Sequence, residues 1–157
     1  MRLELPDLAA MQHFGQAIAA SLREGDVVAL SGGLGAGKTT LARAIIAALG
    51  HKGEVPSPSF AIIEVYDPPL VSLPVVHADF YRLEHPQEAE GLGLDDYRDG
   101  RVLIAEWPEN AGGFGHEAAC LSITLEIVPD SSSQRSISGR IAIVEAGLDW
   151  LGRMPCL

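Results

Sequence analysis

The chain has 157 residues, 47% of them hydrophobic, and a formal charge of −10. That is enough for one ordinary domain (residues 1–157) with its own core, and too apolar for a disordered segment. The acidic balance argues against tight unaided binding to nucleic acid, where released counterions reward Lys and Arg. Simple solubility or a basic protein partner remains open.

In chain order, MRLEL reads as a first strand. Asp7 is placed to cap a helix whose apolar positions Leu8, Met11, Phe14, Ile18 and Leu22 recur at three- and four-residue intervals, with Gly25 ending it. DVVALS (26–31) is an apolar run of strand length, and TTLARAIIAALG (39–50) is a helix with Gly50 at its C-terminal cap position. A loop carrying Gly53, Pro56 and Pro58 precedes the strand-like FAIIEVY (60–66), and Asp67-Pro68-Pro69 marks a turn. LPVVHADF (73–80) is apolar again. PQEAEGLGLDDY (86–97) is polar and partly helical, and RVLIAEW (101–107) is a third buried strand. The final third alternates: CLSITLEIV and SISGRIAIVE, joined by a polar connection, predict an antiparallel hairpin, and LDWLGRM a short closing helix. No run approaches membrane length, the N-terminus lacks a signal peptide's layout, and no repeat or linker divides the chain.

Between the second strand and its helix stands GGLGAGKTT (32–40), which fits G-x-x-x-x-G-K-[ST]. Glycines there let backbone amides converge on an anion, and a helix starting at the loop aims its positive end at phosphates. Lys38 would reach the β- and γ-phosphates and the Thr39 hydroxyl would help hold Mg²⁺. Strand, loop and helix predict a P-loop NTPase-like α/β fold, three-layered, with a mostly parallel central sheet and the C-terminal antiparallel hairpin attached. Cys120 and Cys156 share no metal or redox spacing and, beside a phosphate loop, suggest a reduced, cytoplasmic protein.

Such a loop needs an acid near its metal and a way of orienting the attacking group. VVHAD ends in Asp79 and VLIAE in Glu106. Ligands in parallel sheets gather outside the carboxyl ends of strands, where both acids would point. Either can serve the metal while the other positions water. We prefer Thr39 and Glu106 on Mg²⁺, with Lys38, Asp79 and Glu106 as the catalytic set. Trp107 is either a core anchor or a neighbour of the nucleotide. His77 shares a strand face with Asp79 and reads as a packed histidine.

GGLGAGKTTLARAI, VPSPSF, VVHADFYRL and VLIAEWPE, in this order and spacing, resemble the bacterial tRNA threonylcarbamoyladenosine biosynthesis ATPases, the TsaE family, formerly YjeE. The similarity runs from about residue 5 to 145. It implies a small ATPase whose ATP/ADP cycle supports modification of adenosine 37 in tRNAs reading ANN codons. It also implies a TsaB–TsaD partner complex that stimulates hydrolysis, with tRNA met indirectly and no membrane. The resemblance carries nucleotide binding to Leu34, Gly35, Ala36, Gly37, Lys38, Thr39 and Thr40. It adds Arg135 beside the nucleotide, and Ser57, Ser59 and Arg82 in switch-like elements. Gly33 departs from an acidic residue of the family pattern, Ser59 from Thr, and the tail after Gly147 matches nothing.

Two rival readings stand beside it. A small-molecule, nucleoside-type kinase would use Asp79 and Arg82 but also needs a basic lid, and the region after residue 107 is poor in Arg and Lys. A nucleotide switch without turnover differs from a slow ATPase in tolerating Glu106→Gln. The absence of a guanine-reading N-K-x-D favours ATP.

Overall fold

The computed structural model describes residues 1–58, 62–129 and 137–155. Its strands are β1 (Arg2–Leu5), β2 (Val27–Ser31), β3 (Ile63–Tyr66), β4 (Val75–Asp79), β5 (Val102–Glu106), β6 (Cys120–Pro129) and β7 (Ile137–Ala146). They form one sheet in the order β1-β7-β6-β2-β5-β4-β3. In β2, Val27 and Ala29 join one apolar cluster and Val28 and Leu30 the other, as a strand covered on both faces requires. β4 and β5 are buried along their whole length for the same reason.

Parallel pairing is confined to the centre, where β6, β2, β5 and β4 lie side by side. Antiparallel pairs add β7 and then β1 on one flank and β3 on the other. The predicted hairpin is therefore β6–β7. The strand directions at both edges go beyond the sequence reading and make the sheet less parallel than expected.

Helices α1 (Leu8–Ser21) and α2 (Lys38–Ala48) cover one face through Met11, Phe14 and Ile18 and through Leu41, Ile45 and Ile46. Ala89 of α3 (Gln87–Gly91) and Leu94 of α4 (Leu94–Arg98) pack on the other. Asp7 caps α1 as predicted, accepting from the Ala10 amide at 2.8 Å. The helix ends at Ser21, so Leu22 already has extended backbone, and Leu8 is exposed despite fitting the apolar stripe. Gly50 follows the end of α2 with φ +110°. The polar 86–97 region is two short helices parted at Gly93, and the closing helix shrinks to a 3-10 turn, Leu148–Trp150. Residues 60–61 of the expected strand 60–66 lie outside the described residues, as do Ser59, Arg135 and Cys156.

The tail that matched nothing is anchored. Trp150 is fully buried and donates its indole N–H to the Ala119 carbonyl at 2.8 Å. Arg153 stacks on that ring and forks onto both oxygens of buried Asp26, each at 2.7 Å. Among the described residues, no helix is long and apolar enough to cross a membrane.

Candidate functional site

Because β2, β5 and β4 run parallel, they finish on one edge of the sheet. Register sets Leu30 beside Glu106 and Glu106 beside Asp79, so the two acids stand on neighbouring strand ends next to the glycine loop. The loop leaves β2 through Gly32 at φ +140°, where an added Cβ would lie 2.5 Å from the Leu125 carbonyl oxygen. It enters α2 through Gly37 at φ +105°, and no side chain caps the helix, which leaves first-turn amides for another acceptor.

Lys38 is buried, and its Nζ donates to the Gly32 and Gly33 carbonyls at 2.8 Å each. The ammonium also lies 4.4 Å from the centre of the Trp107 ring. Burial lowers its pKa below the ordinary lysine value, while Glu106, Asp79 and Glu109 pull the other way. Thr39 donates its hydroxyl to Glu106 Oε1 at 2.6 Å, and the other oxygen of Glu106 lies 2.6 Å from His77 Nε2. Asp79 accepts from the Tyr81 amide at 3.0 Å. Trp107 has φ +54°, an unusual turn for a bulky residue, and its ring meets Tyr81 at 5.1 Å.

A cleft of about 440 Å³ gathers most of the expected set: Leu34, Gly35, Gly37, Lys38, Thr39, Thr40, Ser57, Asp79, Arg82, Glu106 and Trp107 all line it. Ala36 does not, since its side chain is buried and its carbonyl faces an arginine. That arginine is Arg140 of β7, which the sequence reading missed. It donates to the carbonyls of Ala36 at 2.9 Å and Gly35 at 3.0 Å, turning loop oxygens toward a cation on the flank. Arg135, the arginine expected here, lies outside the described residues. A polar residue in an alternating strand was the available signal, and nothing local tells how far it reaches. A second cleft of about 260 Å³ opens beyond Gly37, Thr40 and Arg140, lined also by Pro6, Asp7 and Met11.

The candidate cation ligands of the cleft are oxygens, Thr39 Oγ1 and a Glu106 carboxylate oxygen. Among the described residues no group of three His, Cys, Asp or Glu is placed to hold a metal. Two protein oxygens suit Mg²⁺, which keeps waters and phosphate oxygens as its remaining ligands.

Fold and site thus define an α/β protein with a glycine loop between strand and helix, faced by acids from two adjacent parallel strands. The family model for threonylcarbamoyl adenosine biosynthesis protein TsaE matches residues 5–137, and the chain belongs to that family. It is 37% identical over 123 residues to the tRNA threonylcarbamoyladenosine biosynthesis protein TsaE of Haemophilus influenzae, covering 74% of this chain and 77% of that one. To the TsaE of Streptomyces coelicolor it is 45% identical over 100 residues, 63% of this chain and 68% of that one. The crystal structure of Bacillus subtilis YdiB superposes with a TM-score of 0.75 at 27% identity, covering 98% of this chain and 90% of that one.

Proposed function

We propose that the chain is a P-loop ATPase acting in the cytoplasm in threonylcarbamoyl modification of adenosine 37 of tRNAs reading ANN codons. It hydrolyses ATP to ADP when a TsaB–TsaD complex engages it. The observation that carries this reading is the meeting of Lys38, Thr39, Asp79 and Glu106 in one cleft, at the carboxyl ends of parallel strands and under a helix N-terminus.

Loop amides and the start of α2 cradle the phosphates. Lys38, already desolvated, exchanges the Gly32 and Gly33 carbonyls for phosphate oxygens, which restores its charge balance. Thr39 and Glu106 would hold Mg²⁺, which would supply positive charge against the negative charge that builds on the phosphates. Asp79, opposite Glu106 in register, orients the attacking water. The cleft beyond Thr40 and Arg140 takes the base. Exposed Leu34 and Tyr81, with half-buried Trp107 against the tyrosine ring, form an apolar rim on the phosphate side, where a partner excludes water and completes the site.

The test is phosphate release from ATP by the purified chain, alone and with TsaB–TsaD. Slow turnover that rises with the pair is the expected result. An unresponsive chain that passes phosphate to a nucleoside overturns it in favour of the kinase.

A further inference from the structure

His77 takes no part in the mechanism above. It sits mid-strand in β4, fully buried, with its Nε2 2.6 Å from Glu106 Oε2. Register pairs His77 with Ile104 and Asp79 with Glu106, so the contact is a diagonal one across a shared sheet face. A carboxylate offers acceptors only, so the hydrogen of this bond belongs to the imidazole. His77 Nδ1 is buried with no hydrogen-bond partner. A hydrogen on Nε2 leaves only a lone pair unmatched there. The opposite tautomer would bury a bare donor and set two lone pairs against each other at 2.6 Å. Geometry therefore places the bonding hydrogen on Nε2, donated to Glu106.

We propose that His77 is a positioning residue that holds Glu106 to a single free oxygen and thereby selects the cation. This rests on the reading that Thr39 and Glu106 hold the metal. With Oε2 tied to His77, Oε1 alone faces Thr39. One carboxylate oxygen suits Mg²⁺, which demands octahedral ligands at about 2.0–2.1 Å. Ca²⁺, at about 2.3–2.6 Å and with six to eight ligands, gains most from a carboxylate that offers both oxygens. The histidine withholds the second.

The experiment uses the full chain with ADP, titrated with Mn²⁺ by electron paramagnetic resonance and competed with Mg²⁺ and with Ca²⁺. His77→Leu is expected to weaken Mn²⁺ and Mg²⁺ by about 10–100-fold and to narrow the preference over Ca²⁺, with ADP affinity in chelator unchanged. His77→Gln, whose amide nitrogen stands where Nε2 does, restores most of the preference. If the leucine variant fails to fold, His77→Asn, polar but too short to reach Oε2, must show the same loss. Nitrogen NMR of the free protein should show the Nε2–H tautomer. Wild-type cation preference in a folded Leu or Asn variant, or the opposite tautomer, overturns this inference alone. A wild-type chain that binds no ADP overturns the phosphate-loop reading as well.

Discussion

The parallel centre and the antiparallel flank of this sheet do different work. Strands β2, β5 and β4 end in the groups that meet the cleft, and short loops carry the chain from each end into the site. β6, β7 and β1 contribute no residue at a strand end. They brace the loop from behind: Arg140 holds the Gly35 and Ala36 carbonyls, and the β6 backbone at Leu125 leaves room for nothing larger than glycine at position 32. Chemistry placed on strand ends is visible locally. Support delivered across the sheet is not.

The sharpest break in that comparison comes from the centre. Lys38→Ala removes the cation of the loop, and ATP hydrolysis should fall by at least about 10²-fold. The thermal midpoint of the free protein should move little, because the lysine is desolvated there and its loss relieves burial of a charge. Hydrolysis at the wild-type rate would remove the P-loop assignment.

The flank and tail should show the opposite profile. Arg153→Ala leaves Asp26, which is 3% exposed, with the Arg23 amide but without the cation it pairs with. Breaking a buried pair from one side costs about 3 kcal/mol, read from urea unfolding. Nucleotide affinity should stay at the wild-type value where the variant is folded. A loss of affinity equal to the loss of stability would mean that tail and loop are one cooperative unit.

Arg140→Ala lies between these cases, for it is a flank residue touching the loop. Loss of its two bonds to loop carbonyls should weaken ADP by about 10-fold, at the lower end of the roughly 1.5–3 kcal/mol of a charge-assisted bond. Calorimetric titration measures it. A lysine brings one nitrogen on a flexible stem where the planar guanidinium reaches the Ala36 and Gly35 carbonyls through two, so Arg140→Lys should recover little. Unchanged affinity would reduce β7 to scaffold.

The same division explains what could be read from the sequence. The loop, both acids, the capped first helix and the hairpin rest on patterns a few residues long, and each lies where its pattern placed it. What failed to show was long-range. Arg140 reaches back to a loop 104 residues earlier and Arg153 to an acid 127 residues earlier, and no periodicity encodes either distance. His77 read as a packed histidine, which it is, but its partner comes from a strand 29 residues on. The directions of β1 and β3 depended on sheet edges that only the completed fold supplies. Trp150 sat in a segment read only as a short closing helix, yet it fills the core.

The seam between the two regions carries its own probe. Cys120 opens β6, the strand that pairs parallel with β2 and antiparallel with β7. Burial pushes its thiol pKa up, with the Ser122 hydroxyl 3.5 Å away opposing it weakly. Little thiolate is therefore present at mildly alkaline pH, and reagents meet a closed seam. A folded pKa above the unfolded one also stabilises the chain below the ordinary thiol range, and that contribution is lost as pH rises through the folded value. In a Cys156→Ser background, Cys120 should resist a disulfide reagent until denaturant unfolds the chain. Labelling should then track global stability. Labelling that outruns unfolding, and that quickens in Arg153→Ala, would show the flank parting from a centre that stays folded.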